Sequence, residues 1–159
     1  MKVAPISIRR YAAGDFDELV RRWHETNLAS FPYVPEQQRH TLEDARAFFG
    51  ARVVPECAIW VAEDREALRG LIALDAPWIM HLSVFPGSQG RGIGTALLLQ
   101  AREHSPKELR AYTFQRNLRA RAFYERHGFV AIAFGVSPEP ESEPDVEYRW
   151  LAEGAGAAR

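Results

Sequence analysis

Residues 89–94, with the sequence Gln-Gly-Arg-Gly-Ile-Gly, combine residue types that can bind an anion. Glycine lets the backbone curl closely, so that neighbouring N–H groups can converge on one ligand. The segment also lies between an apolar strand pattern and a helical pattern, and a helix N-terminus adds about half a positive charge. The sequence therefore predicts a phosphate or pyrophosphate site at this glycine-rich turn.

The spacing of the glycines excludes three better-known motifs. A dinucleotide-binding fingerprint would need its third glycine at Thr95 or Leu97. A nucleoside-triphosphate loop would need lysine and then serine or threonine after its last glycine, whereas Ile93 follows Gly92. The glycines around Ser88 are wrongly spaced for the nucleophile of a hydrolase. The turn therefore belongs to another class of phosphate site.

Two segments together resemble one known family. Gln89, Gly92 and Gly94 match the coenzyme A loop of the GNAT superfamily of N-acetyltransferases, and residues 81–84 resemble the strand that precedes it. Residues 117–129, which begin 28 residues after Gln89, resemble the other coenzyme-side motif of the family. The resemblance is close over about residues 79–134. The chain is thus identified as similar to a GNAT N-acetyltransferase.

The resemblance implies acetyl-CoA as a co-substrate. In this family the strand before the loop and the next strand splay apart, and the pantetheine arm lies between them. By similarity, the backbone of residues 82–84 would pair with the pantetheine amides, residues 90–95 would bind the pyrophosphate through their N–H groups, and Arg91 would add charge. The implied cofactor-binding residues are Leu82, Ser83, Val84, Gln89, Gly90, Arg91, Gly92, Ile93, Gly94, Thr95, Asn117, Ala120, Phe123 and Tyr124.

The implied reaction is direct attack of a primary amine on the acetyl thioester while both substrates are bound. Holding the two reactants together supplies roughly 7–11 kcal/mol of the barrier. The resemblance assigns the Val84 N–H to the developing charge on the carbonyl oxygen, and Tyr124 to protonation of the leaving thiolate. Tyr124 also falls on an apolar helical stripe with Ala120 and Phe123, which fits a tyrosine that only packs in the core.

An alkylammonium must lose a proton before it can attack, so the reaction needs a base or a chain of water molecules. His81 is the first candidate base, because strand alternation places it on the opposite face from Leu82 and the ordinary pKa of histidine suits the task. Glu147 and Asp75 are the alternatives. A strand histidine also fits plain packing or a hydrogen bond to a backbone carbonyl.

The apolar patterns predict how the chain positions these groups. We expect strands at residues 3–9, 57–62, 68–74, 76–84, 109–114, 129–134 and 146–151, and helices at 15–28, 41–49, 95–104 and 117–127. The expected fold is mixed α/β with an α+β order, forming a single GNAT-like domain over residues 1–153. Its central twisted mixed sheet would have six or seven strands, splayed between the fourth and fifth, with about four helices around it. Residues 154–159 are expected to form a disordered tail.

The composition of the chain limits which partners and which cellular compartment we expect. The 159 residues include 20 basic and 21 acidic side chains, which argues against nucleic acid as a partner, including charged tRNA. Apolar runs fall short of the ~20 residues of a membrane span, so we expect no membrane partner. Cys57 is the single cysteine, which suits a reducing, cytoplasmic location. The five histidines show no close pairing, which argues against a metal site.

The sequence thus favours an acetyl-CoA-dependent N-acetyltransferase acting on a small-molecule or peptide amine, and a homodimer is common among similar proteins. The alternative is a non-catalytic acyl-CoA-binding regulatory module, against which the intact Tyr124 speaks. An acceptor pocket could be walled by aromatic residues that fit core packing equally well, namely Phe31, Tyr33, Phe48, Phe49 and Trp78. The acids of residues 139–145 could attract a cationic amine or form a solvated loop.

Overall fold

A computed structural model describes residues 4–154. The strands are β1 (Ser7–Arg10), β2 (Ala58–Glu63), β3 (Leu68–Asp75), β4 (Trp78–Val84), β5 (Glu108–Phe114), β6 (Val130–Val136) and β7 (Pro144–Leu151). The helices are α1 (Phe16–Ser30), α2 (Pro35–Arg39), α3 (Leu42–Phe48), α4 (Val54–Glu56), α5 (Ile93–His104) and α6 (Leu118–Arg126). A 3-10 turn (Ala13–Asp15) precedes α1, and a π-helical turn (Phe49–Val53) joins α3 to α4.

The seven strands of residues 4–154 form one mixed sheet in the order β1-β2-β3-β4-β5-β7-β6. All neighbouring pairs are antiparallel except β4 and β5, which run parallel. These two strands pair only at Trp78 with Arg110 and at Ile79 with Ala111, and they separate beyond that point. The expected mixed α/β domain with a splay between the fourth and fifth strands is confirmed.

A bulge in β4 accompanies the separation. Ile79 pairs with Leu74 of β3 and His81 pairs with Ala73, so that Met80 is an extra residue without a partner in β3. A bulge of this kind bends a strand and raises its local twist. The end of β4 is therefore directed away from β5, and the gap between the two strands opens at residues 82–84.

Each face of the sheet has its own hydrophobic core. On one face α5 and α6 cover a cluster that includes Ile72, Leu97, Tyr124 and Tyr148. On the other face α1, α3 and the π-helical turn cover a cluster that includes Leu19, Trp23, Phe49, Leu71 and Phe85. The two faces are called here the α5–α6 face and the α1–α3 face. Among the described residues, no helix is both long and apolar enough to cross a membrane.

Several element boundaries differ from the sequence prediction. The helix expected to end at Gly50 continues as a π-helical turn into α4, because Gly50 does not adopt the left-handed conformation that ends a helix. Residues 30–38, where the sequence predicts neither a strand nor a helix, contain α2, which begins at Pro35 in the favoured first position. β6 and β7 extend into residues 135–145, which lie between the expected strands 129–134 and 146–151. Residues 155–159, which make up almost all of the expected tail, lie outside the described residues. Val3, where the first strand was expected to begin, also lies outside them.

Candidate active site

A cavity of about 470 Å³ opens where β4 separates from β5. It is bounded by the end of β4, the first turn of α5, one side of α6 and the C-terminal end of α1. Every residue predicted to bind the cofactor lines this cavity except Arg91. The fold therefore brings two distant sequence motifs to a single space, although the role of each residue in binding stays a prediction.

The glycine-rich turn depends on a left-handed backbone. The φ angles of Gly87, Gly90 and Gly92 are +85°, +78° and +76°, values that a residue with a side chain adopts only with strain. Gly92 is the N-cap of α5, and its carbonyl accepts the first helical hydrogen bond, from the Ala96 N–H at 3.0 Å. The N–H groups of residues 93–95 thus belong to the first turn, where a helix supplies no acceptor for them. They lie at the cavity wall.

Gly94 lets α5 and α6 approach each other beside the cavity. A β-carbon at this position would lie 3.2 Å from the ring of Phe123 and 3.7 Å from a methyl group of Val84. A side chain here would push Phe123 aside or fill the space between the helix and β4. The lack of a side chain at Gly94 therefore keeps open the space between α5, Phe123 and Val84.

Arg91 points away from the cavity towards the β2–β3 hairpin. Its guanidinium donates to Asp64 at 3.2 Å and to the carbonyl oxygen of Ala4 at 2.9 Å. The side chain of Asp64 is only 3% exposed. The N–H of Glu66 and the guanidinium groups of Arg69 and Arg91 hold the pKa of Asp64 well below its usual range. Arg91 thus ties the glycine-rich turn to a buried carboxylate.

The Val84 N–H faces the gap between β4 and β5. The next N–H along the chain, that of Phe85, donates to the carbonyl oxygen of Arg69 at 2.9 Å, on the β3 side. Because successive N–H groups of an extended chain point to opposite edges, the Val84 N–H points away from β3. This is the direction in which a donor to a bound carbonyl would need to point.

Tyr124 lies in an aromatic cluster at the inner end of the cavity. Its ring is 6% exposed, and its centroid lies 5.7 Å from that of Tyr148, 5.0 Å from that of Phe129 and 5.5 Å from that of Phe123. Burial raises the pKa of Tyr124 above its ordinary value, because the charged phenolate is poorly solvated there. The hydroxyl group is therefore protonated at neutral pH. Tyr124 therefore packs in the core and also lines the cavity.

His81 lies on the α1–α3 face, opposite Leu82, as strand alternation predicts. Its ring centroid is 5.4 Å from that of Trp23 and 6.3 Å from that of Phe48, with both contacts edge-on. This packing removes water from the ring and lowers the pKa of His81 to about 4. His81 is not among the residues that line the cavity. The structure thus places this candidate base in an aromatic setting behind β4.

The two alternative bases also lie outside the cavity lining. The carboxylate of Glu147 accepts a hydrogen bond from the Tyr112 hydroxyl at 2.7 Å and one from Arg110 at 3.3 Å. Asp75 ends β3 and pairs with Trp78 across the turn to β4. Glu147 is therefore part of a polar cluster on the exposed part of the sheet.

The C-terminal end of α1 forms a cavity wall of which the sequence indicated only Phe31. Its contribution consists of Thr26, Asn27, Ser30 and Phe31. Phe31 is fixed edge-on against Phe114 of β5, with centroids 5.1 Å apart. These residues form no motif, because they reach the cavity only through the packing of α1 on the sheet. Arg119, Ala122 and Arg126 of α6 were also missed, although the helical period of the 117–129 motif could have indicated them.

The other aromatic candidates for an acceptor pocket divide into core and surface. Phe49 is fully buried in the α1–α3 core, and Phe48 is 47% exposed and stacked on Trp23. Trp78 stacks on Tyr112 with ring centroids 5.1 Å apart, so these two side chains lie on one face of the sheet. Tyr33 packs against Phe31 and Phe114 at the α1 end of the cavity. Only Phe31 of the five predicted aromatic residues lines the cavity itself.

Two acids of the 139–145 loop are engaged in contacts within the chain. Both carboxylate oxygens of Glu143 accept hydrogen bonds from Arg116, at 2.9 and 2.6 Å, and this contact lowers the pKa of Glu143. The carboxylate of Glu141 accepts a hydrogen bond from the side chain of Gln37 in α2. These contacts hold the loop against the region that follows α1.

Comparison with known proteins identifies the family. Residues 55–131 match a family model described as an acetyltransferase (GNAT) domain. Peptidyl-lysine N-acetyltransferase YjaB from Escherichia coli is 31% identical over 125 residues, which cover 78% of this chain and 82% of that protein. The chain belongs to the GNAT acetyltransferase family.

Two further proteins resemble this GNAT chain. Mycothiol acetyltransferase from Beutenbergia cavernae is 37% identical over 124 residues, which cover 70% of this chain and 41% of that protein. The chain thus spans less than half the length of this relative. The crystal structure of a GCN5-related N-acetyltransferase from Rhodopseudomonas palustris superposes with a TM-score of 0.80 at 20% identity, covering 95% of this chain and 99% of that one. The latter likeness shows that the folds agree.

Proposed function

We propose that this GNAT chain transfers an acetyl group from acetyl-CoA to a primary amine of a small molecule or a peptide. The amine attacks directly, while both substrates are bound. The observation that carries the proposal is the shared cavity, because the first turn of α5, the open edge of β4 and the buried Tyr124 all line it. A thioester held along β4 would lie between backbone donors and a protonated phenol.

The diphosphate of coenzyme A would bind at the first turn of α5. The left-handed glycines at positions 90 and 92 shape that turn, and the helix N-terminus favours a negative charge. Arg119 and Arg126 line the same cavity and would add positive charge. Arg91, which is held by Asp64, would fix the position of the turn rather than contact a phosphate.

The proton and electron movements follow from the placement of Val84 and Tyr124. The amine nitrogen forms a bond to the acetyl carbon, and the Val84 N–H donates to the carbonyl oxygen as it gains charge. The carbon–sulfur bond then breaks, and the thiolate takes the proton of the Tyr124 hydroxyl. Tyr124 can take this role because its hydroxyl group is protonated at neutral pH and therefore has a proton to donate.

The amine must give up a proton before or during attack. His81 lies behind β4 with a pKa of about 4, and Glu147 and Asp75 lie outside the cavity lining. These positions favour water molecules in the cavity as the first proton acceptor. In this scheme His81 acts as a packing residue between β4 and α1.

The acceptor class is supported by the relatives. One is named for peptidyl lysine and the other for mycothiol, so that both peptide and small-molecule acetylation occur among proteins similar to this one. The nearly balanced charge of the chain disfavours nucleic acid as the acceptor. A cytoplasmic location fits the single cysteine, because an internal disulfide is not possible.

The test is a thiol-release assay with acetyl-CoA and a panel of amines and lysine peptides. At least one acceptor should give time-dependent release of free coenzyme A. Tyr124→Phe should lower kcat by about 100-fold, because an acid catalyst contributes about that much. It should leave the Kd for acetyl-CoA within about twofold, because the lost hydroxyl acts in the chemical step.

Tyr148→Phe is the matched control for this test. Tyr148 stacks on Tyr124, and its hydroxyl oxygen accepts a hydrogen bond from the Arg121 guanidinium at 3.2 Å, but it does not line the cavity. Its kcat should stay within about threefold of wild type. Wild-type protein that binds acetyl-CoA but acetylates no acceptor would instead support the non-catalytic acyl-CoA-binding module.

A further inference from the structure

His127, which directly follows α6, reaches the first turn of α5. Its Nε2 lies 3.0 Å from the hydroxyl oxygen of Thr95, a residue that lines the cavity. Its Nδ1 lies 2.8 Å from the carbonyl oxygen of Phe123, one turn earlier in α6. The imidazole also packs on the ring of Phe123, with centroids 4.4 Å apart. One side chain thus joins the two helices that carry the coenzyme-side motifs.

The backbone of His127 is held in place independently of its ring nitrogens. His127 is the C-cap of α6, and the chain leaves the helix at Gly128, whose φ angle is +85°. The guanidinium of Arg102 in α5 donates to the carbonyl oxygen of His127. The same guanidinium lies 4.6 Å from the ring centroid of Trp150 in β7. The imidazole is therefore kept beside α5 by contacts that leave its titration free.

The two hydrogen bonds of the ring decide which nitrogen carries the proton when His127 is neutral. A carbonyl oxygen only accepts, so Nδ1 carries the proton and donates it to Phe123. Nε2 then has a lone pair, and the Thr95 hydroxyl must donate to it. In this state Thr95 presents only oxygen lone pairs to the cavity. Its hydroxyl therefore has no proton to offer to a phosphate oxygen.

A second proton on the ring would reverse the hydrogen bond to Thr95. Both nitrogens of an imidazolium donate, so Nε2 would then donate to the Thr95 oxygen. The hydroxyl proton of Thr95 would be free to turn into the cavity and donate to a phosphate oxygen. The positive ring would also attract a diphosphate at the first turn of α5.

The groups around the ring favour this change when an anion is present. The ring lies at the C-terminal end of α6, which favours a cation, and beside the N-terminal end of α5, which favours an anion. Two cations are close to it. Arg102 of α5 donates to the His127 carbonyl oxygen, and the guanidinium of Arg126 lies 5.9 Å from the ring centroid of Phe123 in α6. These cations disfavour a third positive charge, and a bound diphosphate would offset them.

We propose that His127 is a positioning residue for acetyl-CoA, and that binding of the diphosphate takes up one proton at its Nε2. The inference rests on the proposed function, because it takes the diphosphate to bind at the first turn of α5. The proton comes from solvent, Nε2 donates it to the Thr95 oxygen, and the Thr95 hydroxyl donates to the phosphate. Because the complex holds one more proton than its separate components, acetyl-CoA binds more tightly as the pH falls.

The test measures the Kd for acetyl-CoA by titration calorimetry from pH 8 to pH 6, in buffers of different ionisation enthalpy. Glutamine at position 127 can still bond to Thr95 but cannot take up a proton. Over this range the Kd of wild type should fall about fivefold more than that of His127→Gln, and the two should converge at pH 8. The buffer dependence of the heat should show proton uptake that the variant lacks. The phosphate monoester of acetyl-CoA titrates near pH 6 in both measurements, so it cancels in the comparison.

Changes at Thr95 separate the hydrogen-bond relay from packing. Thr95→Val keeps the shape but removes the hydroxyl, so it should lose the same pH dependence. Thr95→Ser keeps the hydroxyl and should retain the dependence. His104→Gln is the control, because His104 is an exposed histidine that ends α5 and packs on Trp60. It should behave as wild type.

The possible outcomes distinguish this inference from the proposed function. His127→Gln should keep its kcat at saturating acetyl-CoA within about twofold, because the residue acts on binding and not on the chemical step. Wild type and His127→Gln with the same pH dependence of Kd would overturn the inference, although acetyl-CoA still bound. The same holds if Thr95→Val kept the wild-type dependence. Wild type that bound no acetyl-CoA at any pH would overturn the proposed function and this inference with it.

Discussion

The two walls of the cavity are built by different means. The wall formed by α5 and α6 offers backbone N–H groups, placed by the left-handed glycines at positions 90 and 92. The wall formed by the end of α1 offers side chains, including those of Asn27 and Ser30, from an ordinary helix. Backbone donors require particular residues at fixed spacing, whereas a side-chain wall can be built from many sequences. The first wall therefore leaves a motif in the sequence and the second does not.

The same contrast extends to what lies behind each wall. The glycine-rich turn is anchored by Arg91 to a buried carboxylate, so its position is fixed by charge. The α1 wall is anchored by aromatic packing, in which Trp23 and Phe48 enclose His81. We expect substitutions on the α5–α6 wall to change cofactor binding. Those on the α1 wall should change acceptor binding or stability.

The largest effect is expected at His81, on the α1 side. In the unfolded chain, His81 binds a proton with the ordinary histidine pKa of about 6.5. In the folded chain, the pKa of His81 is lowered to about 4. As the pH falls between these values, the unfolded state gains protons that the folded state excludes. The free energy of unfolding should therefore fall by about 2 to 3 kcal/mol. Urea denaturation from pH 7.5 to pH 4 measures this slope.

His81→Phe should remove most of that slope, because it keeps the aromatic packing without a titrating group. His40→Gln, at an exposed position, should leave the slope unchanged. The pH dependence of kcat/KM tests the catalytic role separately. If His81→Phe abolished an ionisation in that profile, His81 would be the base and the water scheme would be wrong.

A smaller effect is expected on the α5–α6 wall, from a pair of glycine variants. Gly92→Ala and Gly87→Ala place a β-carbon at nearly equal left-handed φ angles, +76° and +85°, with nothing within 4 Å. Both should lower the free energy of unfolding by about 1 kcal/mol through strain. Only Gly92 lines the cavity, so only Gly92→Ala should raise the KM for acetyl-CoA, by about tenfold. If the KM for acetyl-CoA were the same in both variants, the diphosphate would have to bind away from Gly92.

The smallest effect is expected from Asn27→Ala on the α1 wall. Loss of one neutral hydrogen-bonding group should raise the KM for the acceptor by about three- to fivefold. The KM for acetyl-CoA should stay unchanged in steady-state assays with the acceptor at saturation. Arg21→Ala, an exposed change on the same helix, controls for altered helix stability. A raised KM for acetyl-CoA in Asn27→Ala would mean that both walls contact the cofactor.

Much of the fold followed from local patterns. Helices were predicted to start at Thr41 and Asn117, and in the structure the side-chain oxygens of these residues cap α3 and α6 by accepting hydrogen bonds from the Asp44 and Ala120 N–H groups. Predictions failed where helix ends depended on contacts elsewhere. Gly50 would end an isolated helix, but Phe49 and Val53 on either side are buried in the α1–α3 core, and the chain stays helical to bury them.

The sequence by itself determined the glycine-rich turn, the alternation that separates His81 from Leu82, and the coenzyme-side motifs, because each depends on residues within one or two turns of chain. Tertiary structure alone decided which of these groups share a space. It turned Arg91 towards Asp64, brought α1 to the cavity and left β6 at an edge. Packing decides such matters, because a side chain's direction and neighbours depend on elements that are distant in sequence.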